Sequence, residues 1–432
     1  MDLRRLLLDG FEAAVAAADP LQVLAPALPD AASIRHVRRT LAVGAGKAAA
    51  SMAMAVERHW PADAPLDGLV VTRYAHGLPC RRIEVIEAGH PVPDEAGERA
   101  AARILERATA LGEEDLLVAL VSGGGSSLLS LPVDSVPMAD LKAVTRSLLA
   151  SGAPIQDMNV VRKHLSRIQG GRLAQHTRAR VLALMISDVT GDDPSSIASG
   201  PCSPDPSTYA DAMAILVRWR VAAPASVREH LERGARGLVD ETPKPGDPLF
   251  ARVQARMLAT AHGSLEAAAA VFAQAGIRPV VLGDTVTGEA REVAQVMAAI
   301  ARQIARYDQP FERPVALISG GECTVTVRGR GRGGRCAEFL LALARELDGV
   351  PGAWAIAADT DGIDGSESNA GAIVAPDTMA RASAAGLDAR SLLDDNDAWS
   401  FFDALGDLVT TGPTRTNVND FRALVLMPAR DA

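Results

Sequence analysis

At 432 residues the chain is long for one domain, and two are expected. It is 48% hydrophobic but only 3% aromatic, enough apolar material for two buried sheets with cores of Ala, Val, Leu and Ile. A net charge of -9 gives no support for a nucleic-acid surface or partner, and one arginine-rich loop does not reverse that.

The opening segment, MDLRRLLLDGFEAAVAAADP, carries Asp9 and Glu12 inside its apolar run and reads as an amphipathic helix, not a signal peptide. No uncharged stretch approaches the roughly 18 to 20 residues a bilayer requires, so a soluble cytoplasmic protein with no membrane partner is expected. Short apolar runs predict strands at Thr40–Val43, Gly68–Val71, Ile83–Glu87, Leu116–Val121, Val181–Ile186, Pro279–Leu282, Val315–Ile318, Trp354–Ala358 and Leu424–Leu426. Between them lie Ala-rich helical patterns at Lys47–Arg58, Glu95–Leu111, Met138–Ala150, Met158–Gln169, Gly263–Ala275, Gly288–Arg306 and Ala337–Leu347. This alternation indicates an α/β fold with a largely parallel sheet. Segment 234–249 is rich in Gly, Pro and charge and places a boundary between domains at 1–240 and 250–432. Cys80, Cys202, Cys323 and Cys336 lack metal-ligand spacing and read as reduced thiols.

In open parallel sheets ligands bind beyond the carboxyl ends of strands, so strand ends bearing glycine and polar groups are the places to look. Gly44-Ala45-Gly46-Lys47 leads from a strand into a helix, whose first amides and dipole form an anion site to which Lys47 adds a charge, or else a tight turn with a solvated lysine. Ser122-Gly123-Gly124-Gly125-Ser126 is a phosphate or carboxylate cradle by composition, or a plain structural turn. The run from Asp188 to Asp192 and Asp193 crowds carboxylates after an apolar strand, which suits Mg²⁺ or, for Asp192 and Asp193, a cap. Ser319-Gly320-Gly321-Glu322 ends a strand ahead of RGRGRGGR, residues 328–335, whose planar cations and glycines suit a polyanionic ligand. Arg328, Arg330 and Arg332 are expected to be partly solvated. Asp359-Thr360-Asp361-Gly362 is not an EF-hand, because the twelfth position from Asp359 is Ala370. Thr410 to Asp420, with Asn417, is dense in uncharged donors and acceptors.

Taken in order, VGAGKAA, SGGGSSLL, NVVRKHLSRIQGGRLA, ISDVTGDDPSSIASGP, SGGECTVTVRGRGRGGR, DTDGIDG and TGPTRTNVND resemble the D-glycerate 2-kinases (class II glycerate kinases) along essentially the full chain. The resemblance implies a larger Rossmann/flavodoxin-like domain with a mostly parallel sheet, a smaller MOFRL-type domain, and an active site in an inter-domain cleft. It implies ATP- and Mg²⁺-dependent phosphorylation of D-glycerate to 2-phosphoglycerate, and it is compatible with a homodimer. By position, Lys47, Asp188, Glu322 and Arg335 would be catalytic. Gly44, Gly46, Ser122, Gly123, Gly124, Gly125, Ser126, Asp192, Asp361 and Asn417 would bind substrate or nucleotide, and Asp188 and Asp361 would hold the metal. Many members read GGRNQE where this chain has Gly333-Gly334-Arg335-Cys336-Ala337-Glu338, which removes any polar role from the two positions after the arginine. Members have also been labelled hydroxypyruvate reductases. That alternative lacks an acidic residue closing the next strand, since Asp67 precedes it. A non-catalytic sugar-acid binding protein is the other class, and would be marked by missing charged loop positions.

Overall fold

The computed structural model describes residues 1–348 and 350–428. The chain forms two compact units, one of Pro20–Leu258 and one of Met1–Asp19 together with the chain from Ala259 onward. The division therefore does not fall within 234–249. The helix Leu3–Ala16 joins the second unit because Leu6, Leu7, Phe11 and Ala14 share a core with Leu265, Phe272 and Phe421.

In the first unit, strands β1 (Thr40–Ala45), β2 (Asp67–Arg73), β3 (Ile83–Ala88), β4 (Leu116–Val121), β5 (Arg180–Ile186) and β6 (Val253–Ala259) form one sheet in the order β3-β2-β1-β4-β5-β6. The pairings from β3 through β5 are all parallel. The residues of β1, β2, β4 and β5 are largely buried on both faces, which is why the sequence shows continuous apolar runs there, whereas edge strand β3 keeps Glu84 exposed. This is the doubly wound order, and the chain reverses direction across the sheet between β1 and β4. The crevice at their carboxyl ends is where such folds bind ligands. A helical layer, with its own core of Leu141, Val161, Tyr209 and Leu231 among others, comes from Met138–Ala150, Ile155–His164, Tyr209–Arg218 and Ala225–Ala235. The helix expected to reach Gln169 stops at His164. Ser166 Oγ instead accepts the Ile168 and Gln169 N–H groups, a local bond that competes with helix. Lys163 is buried against Asp205, with Nζ–Oδ1 at 2.7 Å, and serves this layer's structure.

The second unit contains β7 (Arg278–Gly283), β8 (Gly288–Glu289), β9 (Val315–Ser319), β10 (Cys323–Thr324), β11 (Ala353–Asp359), β12 (Gly371–Val374), β13 (Leu408–Val409) and β14 (Asp420–Leu426). Its main sheet runs β13-β12-β11-β14-β9-β7, and β8 and β10 pair separately. Only β7 and β9 are parallel within that sheet; the other neighbours are antiparallel. "Largely parallel" thus describes the first sheet, and the second is mixed. The cause is local: β11 returns directly through residues 360–370 into β12, with no helical crossover. Antiparallel pairing of β14 with both β9 and β11 sets the start of β14 beside the ends of the other two.

Candidate active site

In the first unit the loops leaving β1, β4 and β5 lie side by side because those strands are neighbours. The turn after β1 does not offer its amides outward. Gly46 N–H donates to the Val71 carbonyl (3.1 Å), Lys47 N–H to Gly123 (2.8 Å) and Ala49 N–H to Gly46 (3.1 Å). Ala48 N–H donates to Ser122 Oγ at 3.1 Å. The anion site expected at the start of the Ala49–His59 helix is closed by the protein itself. Gly46 permits this docking, since a Cβ there would lie 2.1 Å from Ser122 Oγ. Gly44 packs against the Leu120 carbonyl within the sheet, so both glycines shape the turn.

Open donors sit one strand over. The N–H groups of Gly123 and Gly124 have no acceptor among the described residues. Gly124 is left-handed (φ +78), and a side chain there would meet His90 Nε2 at 2.9 Å and Lys47 Cγ at 3.4 Å. Two successive amides flanked by a half-buried lysine and a histidine make a concavity suited to phosphoryl oxygens. The cradle belongs to the β4 loop, with Lys47 reaching it from β1. Ser126 Oγ is 2.9 Å from Ser199 Oγ, which in turn donates to Asn159 Oδ1 at 3.1 Å. Ser199 (φ +58) lies in a left-handed run with Ala198 (φ +50) and Gly200 (φ +57), strained backbone of the kind held at functional sites.

Asp188 follows β5 and is half-buried. Asp192, at φ +53, occupies the tip of the same turn. Asp193 is a cap: it accepts Ser195 N–H (2.9 Å) and the hydroxyls of Ser195 (2.7 Å) and Ser196 (3.2 Å). Burial works against its charge, yet these bonds hold its carboxyl below the usual range.

The second unit gathers Glu322, Arg335, Asp361 and Asn417 at the edge where β9 and β11 end and β14 begins. Arg335 is engaged on every side: Nη2 to Asp359 (2.6 Å), Nε to Asp420 (2.8 Å) and Nη1 to Glu322 (3.1 Å). Burial opposes its charge, but Asp420, Asp359 and Glu322 outweigh it and hold the guanidinium firmly protonated. The fork expected to meet a ligand is closed on carboxylates. Asp359 Oδ1 also accepts Asp361 N–H (3.0 Å), and Asp361 Oδ1 accepts Ile363 N–H (2.9 Å). Asn417 Oδ1 accepts Asn419 N–H at 3.3 Å.

The glycines of the arginine loop face protein. A Cβ on Gly329 would lie 2.2 Å from Asp395 O, and one on Gly331 2.4 Å from the Asp397 side chain. Asn396 Oδ1 takes the Arg328 and Gly329 amides, and Asp397 Oδ1 takes that of Arg332. Close approach serves the 395–397 segment and not a ligand. Arg328, Arg330 and Arg332 point outward and are exposed, as expected, although Arg332 stacks 4.0 Å over the Trp399 ring.

Cys336 and Ala337 are fully buried, and their amides are capped by the buried Asp364, at 3.0 and 2.8 Å. Burial pushes Asp364 up to about 7 while those amides pull the other way. Burial also holds the Cys323 and Cys336 thiols well into the protonated range, where they are poor nucleophiles. Serine at both positions should therefore leave kcat/KM within a few fold, at a stability cost of about 1–3 kcal/mol per buried hydroxyl. A folded double variant with no activity would assign a thiol to the chemistry.

Sequence reasoning missed His90, Arg162, Asp359 and Asp420. The last three stand inside motifs quoted above, and only burial and pairing separate them from their neighbours. Asp67 opens β2 and bonds Arg39 and Arg107, at the end of the sheet opposite the glycine turns. No ribose-binding carboxylate therefore closes that strand. Among the described residues no three His, Cys, Asp or Glu side chains are grouped to hold a metal ion, and no helix is long and apolar enough to cross a membrane.

Residues 6–232 match a domain of unknown function, DUF4147, and residues 315–420 match the MOFRL family. The chain is 50% identical to an Agrobacterium vitis protein provisionally named as a hydroxypyruvate reductase, over 98% of this chain and 94% of the other. It is 38% identical to the glycerate 2-kinase of Pyrococcus horikoshii, over 100% of this chain and 99% of that one. The crystal structure of glycerate kinase from Thermotoga maritima superposes with a TM-score of 0.86 at 35% identity, covering 98% of this chain and 99% of the other.

Proposed function

This chain belongs to the DUF4147–MOFRL family that includes the glycerate 2-kinases, and from that premise we infer that it transfers the γ-phosphoryl group of ATP to the C2 hydroxyl of D-glycerate, giving 2-phosphoglycerate and ADP. The observation that carries the reading is the crevice at the β1–β4 reversal. There the open Gly123 and Gly124 amides, Lys47 and the Ser126–Ser199–Asn159 network stand together.

Phosphoryl transfer spreads negative charge over the equatorial oxygens, so fixed donors and cations do most of the work. The Gly123 and Gly124 amides and Lys47 hold those oxygens. The C2 oxygen forms its bond to phosphorus as the bond to ADP breaks, and its proton passes to water. Mg²⁺ keeps several waters and takes one or two carboxylates plus phosphates. Asp188, after β5 and beside the β4 loop, would hold it, and it would neutralise phosphate charge. Arg335 orders Asp359, Asp420 and Glu322 and does not itself meet the substrate.

Hydroxypyruvate reduction finds no support at the end of β2, and a non-catalytic binding role finds none in loops that keep every charged position. The test is ADP release from ATP. It should require D-glycerate, stop on chelation and resume with added Mg²⁺. NADH oxidation by the purified protein with hydroxypyruvate, and no D-glycerate-dependent ADP release, would overturn the reading.

A further inference from the structure

Arg162 is a cation of the first unit with little to bond. It is half-buried, and its guanidinium makes one hydrogen bond, from Nη1 to Asn159 Oδ1 at 3.3 Å. Among the described residues no carboxylate pairs with it. The neighbouring Lys163 shows the usual solution for a buried cation, a 2.7 Å bond to Asp205. Arg162 has none, and burial alone pushes it down to about 10. An unpaired, partly desolvated charge is costly, and a ligand carboxylate would supply the missing partner.

Its surroundings say what that partner is. Asn159 Oδ1 accepts from both Arg162 and Ser199 Oγ, and Ser199 Oγ meets Ser126 Oγ. One polar chain therefore runs from Arg162 to the loop that follows β4. Arg162 also lines a recess with Ser126, Ser130, Thr145, Ser166 and Gln169. The open space there is about 10 Å³, room for one water-sized group and no more. That excludes a nucleoside but admits one carboxylate oxygen, and a guanidinium with unused donors matches a carboxylate.

Resting on the kinase reading above, we propose that Arg162, oriented by Asn159 and set beside Ser126 and Ser199, binds the carboxylate of the three-carbon acceptor and is the residue that selects a 2-hydroxy acid over a neutral polyol. Arg335, neutralised by three carboxylates, is not available for that role.

The experiment is calorimetric titration of D-glycerate into the full-length protein without nucleotide, alongside steady-state kinetics, for wild type, Arg162→Gln and Arg162→Lys. Loss of a charge-assisted contact should weaken D-glycerate binding and raise its KM roughly 10- to 100-fold, with lysine recovering only part. The KM for ATP should hold within a few fold, and the preference for D-glycerate over glycerol should collapse. Removing an unpaired, half-buried charge should leave Tm unchanged or raised, whereas a structural arginine would lower it. A raised KM for ATP with D-glycerate unaffected would assign Arg162 to nucleotide phosphate and overturn the proposal. Unchanged constants, or a lowered Tm with normal D-glycerate affinity, would also overturn it. Wild-type protein that neither binds nor phosphorylates D-glycerate would overturn the kinase reading as well, which separates the two failures.

Discussion

Arg335→Ala is expected to lower stability by about 3–5 kcal/mol and to remove turnover, because it strands buried carboxylates that now share one guanidinium. Asp359 and Asp420 have side chains only 3% and 0% exposed, and each lies within 2.8 Å of Arg335. Arg422 still reaches Asp420 Oδ2 at 2.7 Å, so the larger orphan is Asp359. Adding Asp359→Asn to Arg335→Ala should recover part of the lost stability but none of the activity, and chemical denaturation across that double-mutant cycle measures the coupling. Arg335→Lys should rescue poorly, since an ammonium cannot span three carboxylates as a planar fork does. Arg332→Ala is the control. It removes an exposed side chain stacked on Trp399, and should change stability by about 1 kcal/mol or less and leave kinetics nearly intact. Full stability in Arg335→Ala would mean that these carboxylates do not depend on it.

Lys47→Ala is expected to reduce kcat/KM by roughly 10²- to 10³-fold, the scale of losing one preorganised contact to developing charge. Its methylene chain borders Gly124, whose amide is open, while its own amide is bonded to Gly123. The side chain thus brings a charge to a cradle whose backbone is fixed. The loss should fall mainly on kcat, because a contact that strengthens in the transition state lowers kcat and kcat/KM together. Near-normal kinetics in this variant would move the phosphoryl group away from the β1–β4 crevice.

The legible parts of the fold were those that physics writes locally. Parallel strands buried on both faces appear as unbroken apolar runs, and β1, β2, β4 and β5 are found where those runs predict them, while β3 is an edge strand that keeps Glu84 exposed. β8, β10, β12 and β13 span two to four residues, too few to show a period. β6 reads VQARMLA, with Gln254 and Ala255 exposed and Arg256 half-buried, so it shows no apolar run. The mixed second sheet was illegible because one tight return replaces one helix, a choice that leaves no mark in β11 itself. The N-terminal helix was recognisable as amphipathic, but not which core would receive it.

The candidate site shows the same divide. Strand-end loops were readable from glycine and polar residues, but the work each glycine does was not. RGRGRGG suggests backbone laid against a ligand, and the structure lays it against Asp395–Asp397. Lys163 and Arg162 stand next to each other in sequence with the same charge. Only burial with a partner, and burial without one, tells the structural cation from the candidate ligand-binding one.

The central claim is transfer to the C2 hydroxyl, and the most direct measurement is a continuous assay with D-glycerate, ATP, Mg²⁺, enolase and pyruvate kinase, with phosphoglycerate mutase omitted. The account predicts immediate pyruvate formation, since 2-phosphoglycerate is enolase's own substrate. Pyruvate appearing only after mutase is added would place the phosphoryl group on C3 and contradict it.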